Sequence, residues 1–281
     1  MKYRLCVILM ALVCLAGCAG EEKMGALAEN GLTPVNVASV TEEGKAVFRQ
    51  KTDEIEAEKR AEEEQKKKNP RGNYLIAIDA GHQAQGNSEK EPIGPGAAAQ
   101  KAKVAGGTRG VSTGIPEYEL TLQVSLKLRD ALEEKGYQVL MIRETNDVNI
   151  SNAERAIVAN DAGANAFIRI HADGSESSSA AGMMTICQTP SNPYNGAIYQ
   201  QSRALADCIL NQAVATTGAA KRNVWETDTM SGINWAQVPT TILEMGFMTN
   251  PSEDQQMAEE EYQKKIVEGI VRGMDAFFGV E

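Results

Sequence analysis

From residue 74 onward the chain alternates between two hydrophobic periods, and that alternation predicts its elements. Short runs rich in apolar and β-branched residues at 74–79, 137–143, 166–171, 183–187 and 240–244 predict buried strands. Between them the apolar positions fall at helical spacing. Pro116 suits a first turn, Leu120, Val124, Leu128 and Ala131 then share one face, and Gly136 marks the stop. Ser151 and Glu154 have the pattern of a capping box, opening a second helix that ends near Gly163. Two further helices are predicted at about 198–216 and 259–277. Strands alternating with helices predict an α/β fold: a single three-layer domain over 74–281, with a mixed, mostly parallel sheet flanked by helices. The stretch 83–114, rich in Gly, Ala, Ser and Lys and containing Pro92 and Pro95, reads as one long loop.

The first 73 residues have another character. Lys2 and Arg4 precede an uncharged apolar run at 5–15, the pattern of a secretory signal and too short for a bilayer span of about 20 residues. The run ends in Leu15-Ala16-Gly17-Cys18, which resembles the lipobox of bacterial lipoproteins. That resemblance implies a signal peptide over 1–17 and a lipid on Cys18, anchoring the chain to a membrane and placing it outside the cytoplasm; a plain secretory signal is the alternative. Residues 18–73 then form the lipidated N-terminus and a charged linker. Thirteen of the eighteen positions in 51–68 are charged, with acid-before-base i,i+4 pairs such as Glu56/Arg60 and Glu62/Lys66. Without an apolar seam, the segment is expected to act as a solvated spacer, ended by Pro70 and Gly72.

Charge and rare residues narrow the chemistry. A net charge of −10 over 281 residues, with no basic stripe, argues against a nucleic-acid partner. Cys6 and Cys14 leave with the signal and Cys18 takes lipid. Cys187 and Cys208 remain, without CxxC spacing and with their pairing open. The only histidines are His82 and His171, and each stands at the carboxyl end of a predicted strand, where open α/β sheets place their ligands. Two imidazoles and one carboxylate form a hydrolytic zinc set, and Glu117 and Glu244 are the acids that begin a helix and end a strand nearby.

In order along the chain, Asp79-Ala80-Gly81-His82, Glu117, Ile168-Arg169-Ile170-His171-Ala172-Asp173 and Glu244-Met245-Gly246-Phe247-Met248-Thr249-Asn250 resemble the motifs of the zinc-dependent N-acetylmuramoyl-L-alanine amidases of the amidase-3 type. The resemblance spans roughly 74–281 and includes Arg143, Arg155, Asn160 and Pro239. It implies that His82, Glu117 and His171 hold Zn2+ and that Glu244 is the catalytic base and then acid. The implied substrate is peptidoglycan, cut between N-acetylmuramic acid and L-alanine. A zinc peptidase acting on stem peptides and a non-catalytic wall-binding lipoprotein are the competing readings, and a protein activator is a further possible partner. Arg143, Arg155, Asn234 and Trp235 are candidate substrate-binding residues. Two departures stand out. Arg169 occupies a position where the family commonly has serine, predicting a more basic floor. The loop at 83–114 is longer than usual between the first two ligands and reads either as a wall or lid of the site or as a passive insertion. Trp225, Met230, Ile233 and Trp235 are candidates to line a groove for sugar or peptide.

Overall fold

A computed structural model describes residues 50, 51, 53–60, 64 and 69–280. The signal and lipidation site, including Cys18, lie outside the described residues. The chain divides into two units at 62/63. In the first, residues 53–60 are helical and Arg60 pairs with Glu56 one turn earlier, as the charge spacing predicts.

The second unit is built on a six-stranded sheet in the order β4-β1-β5-β8-β6-β7. The strands are β1 (Leu75–Ala80), β4 (Gln138–Met141), β5 (Ala166–Asp173), β6 (Met183–Cys187), β7 (Lys221–Glu226) and β8 (Thr240–Phe247). β4, β1, β5 and β8 run parallel, while β6 pairs antiparallel with β8 and carries β7 parallel to itself. The helices are α1 (Glu117–Glu134), α2 (Asn152–Asp161), α3 (Tyr199–Thr217), the single turn α4 (Ser231–Asn234), α5 (Pro251–Ala258) and α6 (Glu260–Phe278). Alternation along the strands feeds two cores. Ile168 and Ile170 of β5 face Leu120, Val124 and Leu128 of α1, Ile209 of α3 and Ile270 of α6. Phe167, on the opposite face, packs with Ala156 and Ala159 of α2. Helices on both faces of a mixed, mostly parallel sheet make the expected three-layer domain.

Local signals set the element ends. Both halves of the Ser151/Glu154 capping box form, and α1 begins after Pro116. The stretch 83–114 is not one loop. It contains an antiparallel hairpin of β2 (Asn87–Pro92) and β3 (Gln100–Val104), hidden in the sequence because Asn-Ser-Glu-Lys-Glu-Pro carries no apolar alternation. β7 was unpredicted for a related reason: it is an edge strand that buries only alternate positions partway. Cys187 and Cys208 are both free thiols, and burial, then the nearby Glu226 carboxylate, pushes the Cys187 thiol up to about 12. Among the described residues no helix is long and apolar enough to cross a membrane.

Candidate active site

Parallel register brings the chemistry to one edge of the sheet. Ala80 of β1 lies opposite Ile170 of β5, and His171 lies opposite Glu244 of β8, so the carboxyl ends of three adjacent strands converge. Glu117 arrives as the first residue of α1, with its backbone N–H donated to the Thr108 carbonyl. Glu117 Oε1 is 3.0 Å from His82 Nε2 and 3.1 Å from His171 Nδ1, and donor atoms of the three residues lie within 4.8 Å of one another.

His82 is held in a costly conformation. Its φ of 61° is the one positive value at a non-glycine position among the described residues, and strain of this kind amounts to about 1–3 kcal/mol. Arg155 secures it by donating to the His82 carbonyl at 3.0 Å, while His82 Nδ1 faces the Ala105 carbonyl at 2.8 Å. Gly81 is required just before it, because a Cβ there would enter the His171 ring. Gly107 adopts φ 77° and passes its backbone against both His82 and Glu117.

Electrostatics concentrate unsatisfied acceptors here. Burial opposes charge on Glu117, yet hydrogen bonds from His171 and His82 hold its carboxyl well below the ordinary range. Burial likewise depresses His171, whereas for His82 the Glu117 contact outweighs burial and raises the pKa. Glu244 is pushed well up, first by burial and then by the carboxylates of Glu117 and Asp173, against opposing pulls from Arg222 and Arg169. Glu244 Oε2 and His171 Nε2 are buried with no hydrogen-bond partner. Two imidazoles, a carboxylate and buried orphaned acceptors form a donor set that suits a divalent cation with borderline-soft preferences.

The other candidate residues stand around this set. Arg143 is buried and spends its guanidinium on the carbonyls of Ala80, Gly81, Tyr118 and Thr145. Burial, followed by the charge of Arg155, lowers its pKa to about 10. Arg155 donates to Asp79, Ala80, His82, Gln83 and Ile150. Both arginines thus fix the backbone that carries His82. Asn234 is fully buried, with its amide donated to the carbonyls of Ile93 and Asp228, and the Trp235 indole N–H is donated to Pro92 at 2.9 Å. These two pin the hairpin, as does the buried carboxylate of Glu91, which accepts from Ala153 N at the start of α2. Ile233 belongs to the core, leaving Trp225, 41% exposed, as the open member of the proposed aromatic groove. Arg169 is buried against Asp79 and Asn152, so much of the expected extra basicity is neutralised by a carboxylate.

Several contributors lacked a sequence signal. Thr108 N donates to Glu117 Oε2 at 2.9 Å. The segment carrying Thr108 is tethered by Asp254 of α5, whose buried carboxylate accepts from Ser112 N, Thr113 N and the Thr113 hydroxyl. Asp254 is the one that could have been noticed, as an acid in the first turn after Asn250-Pro251.

The fold and site together define an α/β protein with a three-donor cation set at its carboxyl edge. Residues 76–276 match the N-acetylmuramoyl-L-alanine amidase family Amidase_3, and the chain belongs to that family. It is 28% identical over 211 residues to an N-acetylmuramoyl-L-alanine amidase of Mycobacterium tuberculosis, covering 74% of this chain and 87% of that one. It is 33% identical over 168 residues to the protein YqiI of Bacillus subtilis, covering 60% and 77%. Among solved structures, the amidase Ami1 of Mycobacterium smegmatis superposes with a TM-score of 0.66 at 28% identity, covering 74% of this chain and 98% of that one.

Proposed function

We propose that this protein hydrolyses the amide between the lactyl group of N-acetylmuramic acid and L-alanine in peptidoglycan, with zinc held by His82, Glu117 and His171. The observation that carries the reading is the register-aligned placement of the unpartnered Glu244 carboxylate beside the three-donor set. Bound zinc supplies Lewis acidity toward a carbonyl oxygen and toward water. Glu244 Oε2 accepts the proton of the attacking water and returns it to the leaving amine, and its raised proton affinity suits a group that must do both. Arg143, Arg155 and Ala105 keep His82 oriented, and the Thr108 N–H keeps Glu117 oriented. Purified sacculi provide the test: digestion should release stem peptides with new L-alanine N-termini and leave the glycan strands unbroken. Cleavage within the stems instead would reassign the enzyme as a peptidase.

One zinc per chain is expected by elemental analysis, and Glu117→Ala, which removes the acceptor shared by both imidazoles, should reduce that content to near zero. Full metal content in that variant would remove Glu117 from the ligand set.

The lipobox reading places the enzyme outside the cytoplasm with its catalytic unit tethered to a membrane through Cys18, and the amidase relatives support an extracytoplasmic location. Cys18→Ser is expected to move the protein from the membrane fraction to the soluble or secreted fraction. Persistent membrane association would refute the anchor.

The hairpin is proposed as a wall of the site. Replacing residues 88–103 with a short Gly-Ser linker retains Ala105 and Gly107 and should preserve metal content. It should also alter the ratio of rates on intact sacculi and small muropeptides, because Glu91, Pro92 and Ile93 no longer fix the rim. An unchanged ratio would make the hairpin a passive insertion.

A further inference from the structure

The edge strand β7 begins on the side of the sheet that carries the reaction centre. Glu244 of β8 lies opposite Met184 of β6, and β6 in turn pairs with β7. The first residues of β7 therefore stand two strand spacings, about 10 Å, from the Glu244 backbone. Arg222 occupies this position. Its guanidinium lies 4.8 Å from the centre of the Phe247 ring and makes a 3.1 Å bond to Asp173 through one amine, with the side chain 33% exposed. The other three arginines close to the site differ from it. Arg143, Arg155 and Arg169 are buried, and carbonyls, carboxylates and amides take up their donors. Among these four arginines Arg222 is the one whose donors are left open at the rim, with a single amine engaged by Asp173.

Resting on the amidase reading, we propose that Arg222 is a specificity residue that binds a carboxylate of the stem peptide, so that the peptide leaves the scissile amide along β7. The two sides of the scissile bond differ in charge. The glycan side is made of neutral N-acetylated sugars, whereas the peptide side carries carboxylates. A carboxylate one residue beyond L-alanine lies about 7 Å from the scissile amide in an extended chain. An arginine side chain reaching inward from a strand about 10 Å away spans the remaining gap. The planar guanidinium, held on its face by Phe247 and at one corner by Asp173, presents its other edge in the fork geometry that carboxylates accept.

The test uses zinc-loaded enzyme and two muramoyl tripeptides that differ at one group, a free carboxylate or a carboxamide one residue past the scissile amide. The parent should cleave both, with a KM about ten- to hundredfold lower for the carboxylate. Arg222→Met should raise KM for the carboxylate substrate by that factor, hold kcat within about threefold and leave the carboxamide substrate unaffected, so that the preference disappears. Arg222→Lys should retain part of the preference through its charge. Equal loss on both substrates, a fall in kcat at constant KM, or a parent that does not distinguish the two would overturn the assignment. A parent that cleaves neither substrate would overturn the amidase reading itself, which is thereby tested separately from Arg222.

Discussion

Glu244→Gln is expected to lower kcat by about a hundred- to ten-thousandfold while zinc content and fold persist. The substitution keeps size and shape on a strand whose register is fixed on both sides, by His171 of β5 and Met184 of β6. What it removes is the capacity of the carboxylate to hold a proton. The parent acid is buried among like charges from Glu117 and Asp173, so a neutral amide costs the folded state nothing and the thermal midpoint should hold or rise slightly. Steady-state rates on a soluble muramoyl peptide, together with elemental analysis of the same preparation, give the answer. A variant within tenfold of the parent rate would show that proton transfer does not pass through Glu244.

The contrast with Glu117→Ala separates the two carboxylates. Glu117 receives hydrogen bonds from both imidazoles and is held deprotonated, as a ligand requires; Glu244 has no partner and is held toward protonation, as a proton carrier requires. Environments that push the pKa values of two neighbouring acids apart assign their roles.

The parts legible in the sequence were those with a period or a rare residue type. The apolar run at 183–187, with four of five positions apolar, predicts β6 at the residues it occupies, and all five are buried. His82 and His171 could be read because the chain has no other histidine. The hairpin and β7 were not legible, since polar edge strands owe their pairing to a partner and not to their own pattern. The roles of Asn234 and Trp235 were obscured for a related reason. A polar or aromatic residue near a motif looks like a substrate contact until the carbonyl it satisfies is visible, and here those carbonyls belong to Ile93 and Pro92 of the hairpin. Arg169 shows the same limit: its charge was read without Asp79, ninety positions away in the chain.

Asp79→Ala is expected to destabilise the fold by about 3–5 kcal/mol and to weaken metal binding with it. Asp79 is completely buried, with Arg155 Nη1 at 2.7 Å from one oxygen and Arg169 Nε at 2.8 Å from the other. Burial alone would raise its pKa, but the two guanidiniums hold it down at about 2, against an ordinary 3.8. Alanine leaves both arginines buried without a counter-charge. Arg155 then loses the anchor from which it holds the carbonyls of Ala80 and His82, and the positive-φ conformation of His82 loses its restraint. Asp79→Asn keeps the shape and removes only the charge, so it should lose less. The sign of the pH dependence follows from the depressed folded-state pKa: the stabilisation is complete above about pH 4 and disappears as pH falls toward 2. Urea midpoints of parent and Asp79→Asn should therefore differ most at neutral pH and converge at about pH 2 and below. A difference that stays constant across that range would mean that the carboxylate charge contributes nothing and that Asp79 serves only through its shape.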